Sequence, residues 1–295
     1  MLRLRFLAAL FALAAAAVAQ PGSGPLFPEP FRVTHHLVQD DGDGSRFVGE
    51  PVVDTYGGSW IVSERPDGSR LIVDLVRREL TEVRAEKGTY WTVSFDRFAE
   101  LQKRLQAAQV TRTEKAADRQ AAPSAKAAEL VVTDVPETES SLRQANAANT
   151  AGIADRPGVR HLRVTAKGES SDAAFEVWVD PSVRLTPAAL NAVGGFESVL
   201  SEKSAATAPG RALAAARAHA SGALPVRTVR PVASGMGHVE DAATNVERLE
   251  RFPSNLVEIP EGLQRVPHPL EAAVRFLEED AERNLVMSGA REDKP

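Results

Sequence analysis

Few residues in this chain are spaced for chemistry. His35 and His36 are the only adjacent histidines. On an extended strand neighbouring side chains point to opposite faces, so the pair cannot chelate one ion without help from elsewhere. The other histidines (161, 219, 238 and 268) occur singly, without HxH or HExxH spacing. Asp40-Asp41-Gly42-Asp43 invites a calcium reading. An EF-hand loop begun at Asp41 would require Gly where Arg46 stands and Glu where Val52 stands, so a solvated hairpin tip is expected instead. There is no G-x-S-x-G elbow, no S-x-x-K set and no glycine-rich loop between a strand and a helix. The adjacent carboxylates Glu240-Asp241 would matter to glycoside chemistry only if folding gave them partners. No pattern calls for a metal or a cofactor, and a non-enzymatic protein is expected.

Composition narrows the classes further. The 295 residues contain no cysteine, which excludes disulfides, thiolate metal sites, a cysteine nucleophile and a cysteine-linked lipid anchor. A net charge of −5 argues against a nucleic-acid partner, which would need a basic stripe.

The aromatic residues are more informative. Trp60, Tyr90, Trp91, Phe95 and Phe98 fall within one unit of short strands followed by a helix. Alternation puts Trp91, Val93 and Phe95 on one inward face. Trp60, Trp91, Val93, Phe95 and Phe98 are therefore expected either as ordinary core or as the lining of an apolar cavity.

The elements that position them follow from periodicity. Phe31 to Leu37 alternates, and the segments 59–64, 71–75, 80–84 and 89–95 read as an antiparallel meander. The period then changes: Phe95, Phe98, Leu101, Leu105 and Ala108 make a helical stripe, capped by Ser94. Further strands are expected at 130–135, 159–165, 175–180, 224–232 and 239–249. Helices open at Thr186-Pro187 and at Pro269. Of two alanine-rich stretches, 111–129 reads as a solvated insertion or loose helix and 204–220 as a polar helix or loop.

The N-terminus carries an address. Arg3 and Arg5 precede an apolar run from Phe6 to Val18, and Ala17-Val18-Ala19 has the small-x-small pattern of a signal-peptidase site. Cleavage after Ala19 would leave 33 basic against 40 acidic residues, a charge of −7. A periplasmic or secreted protein, not integral to the membrane, is expected. The expected organisation is signal peptide 1–19, linker 20–30, a main domain 31–266, a C-terminal helix 267–287 and a disordered tail 288–295.

Several strand motifs occur in an order that resembles exported bacterial proteins related to the outer-membrane lipoprotein carrier. They are Arg70-Leu71-Ile72-Val73-Asp74, then Leu80-Thr81-Glu82-Val83, then Gly88-Thr89-Tyr90-Trp91. Glu176-Val177-Trp178-Val179, Gly222-Ala223-Leu224-Pro225-Val226 and the run Leu256 to Leu263 follow. The resemblance covers roughly 31–266. It implies an α+β fold, in which an incomplete, curved antiparallel barrel wraps around helices and offers an apolar cavity. The implied partner is a lipid or an acylated protein. A cell-envelope interaction scaffold with a filled core is the alternative. None of the carrier's ligand contacts maps onto a particular residue here.

Overall fold

The computed structural model describes residues 24–114, 129–136, 156–168, 174–200, 209–231 and 237–292. The expected signal peptide and most of the first alanine-rich stretch lie outside the described residues.

Alternation of β-branched and polar residues between Val52 and Ser94 produces five consecutive antiparallel strands. They are β3 (Val52–Gly58), β4 (Trp60–Glu64), β5 (Ser69–Asp74), β6 (Glu79–Arg84) and β7 (Thr89–Ser94). The meander is thus one strand longer than expected, because Val52–Gly58 pairs with both β4 and β1. β1 (Phe27–Asp40) is 14 residues long and is the seam of the molecule. One edge pairs with β3 and with the short β2 (Arg46–Val48). The other pairs with β12 (His238–Arg248) across a bulge at Thr34/His35. Beyond β12 lie β11 (Ala223–Pro231), β10 (Phe175–Arg184), β9 (Arg160–Ala166) and β8 (Leu130–Asp134). β13 (Gln264–Arg265) adds a parallel pair beside β7, so among the described residues the sheet has 13 strands and is open between β13 and β8. The architecture is α+β with a large, unclosed, mostly antiparallel sheet. The expected linker is shorter than 20–30, since Phe27 is already in β1 and only 3% exposed.

Among the described residues four helices complete the fold: α1 (Phe95–Glu114), α2 (Pro187–Leu200), α3 (Pro209–His219) and α4 (Pro269–Glu292). One apolar cluster joins both halves of the sheet to α1, α2 and α4. It includes Phe31, Val33, Ile61, Val73 and Leu80 from strands and Phe95, Leu101, Val193 and Val274 from helices. On the opposite face of the meander, Val62, Ile72 and Val83 are covered by Phe252, Leu256 and Val257. Gly57 permits that cover, because a Cβ there would collide with the Phe252 ring.

Two expectations are corrected. Over its described part, the stretch 204–220 is a helix, as one of its two readings has it, but not a solvated one: α3 buries Ala212 and Ala216, with Ala220 just beyond, against Leu162, Val164, Val177 and Val179. Alanine gives no large-residue stripe, yet its small side chain lets a helix lie close on a sheet, and the four-residue spacing is itself one helical face. The C-terminal helix also runs on to Glu292, through much of the expected tail.

Candidate functional site

The expected aromatic group divides. β7 presents Trp91 and Val93 to the helix-covered face, each 6% exposed, and Phe95 follows at the start of α1. Phe98 packs on the same cluster one turn later. Trp60 does not join them. Its neighbour Ile61 occupies that face, so the period of two turns Trp60 to the other side, where it stacks on Phe252 at 5.8 Å.

Around Trp91 the contacts are polar as well as apolar. Its Nε1–H donates to Glu82 Oε2 at 2.7 Å, and Glu82 also meets Arg65 at 3.0 Å and Arg84 at 2.6 Å. The buried carboxylate is thereby compensated by two guanidinium groups. His268 sets its ring edge-on to Trp91 at 4.2 Å and to Phe98 at 5.5 Å. Its Nδ1 accepts the Leu270 N–H at 3.1 Å. Burial pushes this imidazole below its usual pKa, with Arg84 acting the same way and Glu271 and Glu82 opposing.

A groove of about 260 Å³ opens onto the same core where the start of β1 meets the end of β10. Phe27, Phe31, Val183 and Leu185 are at once its walls and members of the helix-face cluster. Phe31 stacks on Tyr56 at 4.5 Å, which fixes the floor. Arg248 clasps the rim, reaching Glu29 at 2.8 Å and the Ser182 carbonyl at 2.7 Å. Thr186 Oγ1 donates to the Leu26 carbonyl at 3.0 Å. Sequence reasoning missed this groove because its two walls are some 150 residues apart. The local signal was Phe27-x-x-x-Phe31, which fell across the assumed start of the domain.

The polar residues do other work. His35 is held by two carboxylates: Nδ1 lies 2.7 Å from Asp241 Oδ1, and Nε2 has an ionic contact of 3.4 Å with Asp54 Oδ2. Burial opposes its charge, but the pull of Asp241 and Asp54 prevails and raises its pKa to about 10. His36 Nδ1 instead faces the Gly49 carbonyl at 3.0 Å, so the adjacent histidines have separate partners. Glu240 and Asp241 likewise part, Glu240 to Arg227 at 2.9 Å and Asp241 to His35. In the second half of the sheet Trp178 carries His161 stacked at 3.9 Å and the Arg227 guanidinium at 4.5 Å. His161 in turn meets Glu176 at 3.1 Å. The Arg227–Glu240 pair is a buried, mutually compensated ion pair. The acidic turn is self-satisfied too: Asp40 accepts the Gly42 N–H and Asp43 the Ser45 N–H, both at 2.8 Å. Among the described residues no group of three or more His, Cys, Asp or Glu side chains is arranged to hold a metal. Nor is any described helix long and apolar enough to cross a membrane.

No protein-family model and no curated protein matches the chain. Among solved structures it is similar to an uncharacterized conserved protein from Thermus thermophilus, at 9% identity and a TM-score of 0.35, over 81% of this chain and 90% of that one.

Proposed function

We propose that this protein is an exported, non-enzymatic binding protein that takes an apolar group, an acyl chain or the lipid of an acylated protein, into the groove between β1 and β10. In this reading the open sheet acts as a half-barrel around its helices, as in the lipoprotein carrier. One observation carries the reading: the groove has mixed polar and apolar walls, and its apolar members Phe27, Phe31, Val183 and Leu185 belong to the core cluster that contains Trp91, Val93 and Phe95. Each CH₂ moved from water onto those apolar members contributes about 0.8 kcal/mol, so no titrating group is needed for affinity.

The test is fluorescence titration of the chain from Gln20 onward with a dansylated undecanoic acid. Saturable binding is expected, together with a loss of at least about tenfold in Leu26→Arg, which sets a charge on the groove wall. Binding that survives in a folded Leu26→Arg variant would place the ligand elsewhere, and no saturable binding at all would sink the reading.

A second reading has its own observation. Phe47, Val48 and Leu37 are 70%, 51% and 53% exposed around β2, which pairs only with β1 among the described residues. A bare edge flanked by apolar side chains suits a protein partner in the cell envelope. A chain that binds no lipid probe but is captured through β2 would favour this reading.

A further inference from the structure

We propose that His268 is a proton-operated latch that docks the first turns of α4 over Trp91 and Phe98 and releases them on acidification. The latch is a conformational device of the fold and stands whether or not the groove takes a ligand.

The geometry is that of a helix cap made by histidine. Pro269 begins α4 and has no N–H, so the first main-chain donor to be satisfied is that of Leu270. His268 Nδ1 accepts it at 3.1 Å, which requires a lone pair on Nδ1 and places the ring proton on Nε2. The same ring is 7% exposed and lies edge-on to Trp91 of β7 and Phe98 of α1. One imidazole therefore caps the helix and fastens it to the core. Leu270 and Val274 follow into that core, and Val274 is 1% exposed.

A proton from solvent that binds Nδ1 removes the acceptor. The Leu270 N–H then loses its partner, and a positive ring sits at the positive end of the helix dipole. The facing charges do not rescue the cation. Glu82 of β6 is already engaged by Arg65, Arg84 and Trp91, and Glu271 of α4 has Arg97 of α1 at 3.5 Å. Arg84 opposes the cation directly. Neutral His268 is thus favoured in the docked state. Stability from docking is complete above the ordinary histidine pKa of about 6.5 and falls as the pH drops below it. What is exposed on release is the apolar surface of Trp91 and Phe98.

The experiment is amide hydrogen exchange of the α4 segment in the full chain, at about pH 7.5 and about pH 5.5, for the wild type, His268→Asn and His268→Ala. Asparagine caps without titrating. At the acid pH the wild type is expected to exchange on the order of tenfold faster than His268→Asn, and at the neutral pH to match it. His268→Ala is expected to exchange fast at both. Equal exchange of wild type and His268→Asn at both pH values overturns the latch, as does a slow His268→Ala. Should a variant fail to fold, ¹⁵N spectra of the wild-type imidazole decide. Protonation that coincides with loss of the Leu270 amide protection supports the latch, and a protonated ring that leaves that amide protected overturns it.

Discussion

His35, half-buried at the seam of the sheet, and His268, buried at the mouth of α4, rest in opposite protonation states. His35 lies between Asp241 and Asp54, and their pull overcomes burial and raises its pKa to about 10. His268 meets a main-chain N–H, a helix N-terminus and Arg84, and burial keeps it below its usual range. Burial alone favours the neutral form of either ring. What differs is the group within hydrogen-bond reach: a carboxylate needs the cation, and an N–H donor needs the lone pair. The seam is therefore an ionic clamp between strands that are far apart in sequence, whereas the cap is a local bond made between residues two apart.

The comparison can be broken most forcefully at the seam. His35→Leu leaves Asp54 and Asp241 without their common cation and should cost about 2–4 kcal/mol at neutral pH, toward the lower end because Asp241 is 44% exposed. The urea midpoint measures this, and adding Asp54→Asn should recover part of the loss. The same pair should also show in the pH dependence of stability. His35 has a raised folded-state pKa, so its contribution is whole below about pH 6.5 and disappears as the pH rises through about 10. His268 has a lowered one, so its contribution is whole above about pH 6.5 and declines below it. Thermal melts across pH should show both arms. His35→Leu is expected to flatten only the alkaline arm and His268→Asn only the acid one. The smallest effect should come from Arg84→Ala. Removing that cation, and freeing Glu82 to attract the ring, should raise the His268 titration only slightly, as read by ¹⁵N spectra.

Much of the fold was legible. The period of two marked most of the meander, and the switch at Ser94-Phe95 marked the start of α1 where the structure has it. Pro187 and Pro269 begin their helices as their missing N–H predicts. The coplacement of Trp91, Val93 and Phe95 also followed from alternation. Trp60 is near that group in sequence but not in facing, because its neighbour Ile61 claims the face. The alanines of α3 carry no stripe of large residues, so their buried face is invisible to a pattern read from bulk. His268 had a readable signal, since the residue before a helix-opening proline is the cap.

Local chemistry along the chain is enough to determine strands, turns, helix starts and the absence of thiol chemistry, since each depends on a few consecutive residues. Which strands become neighbours is another matter. The pairing of β1 with β12, and with it the His35–Asp241 contact across 206 residues, is decided by burial summed over the whole sheet. The groove belongs to the same class, formed where the start of β1 is brought against the end of β10. Tertiary packing alone settles these, because the free energy that selects them is shared among residues that no local window contains.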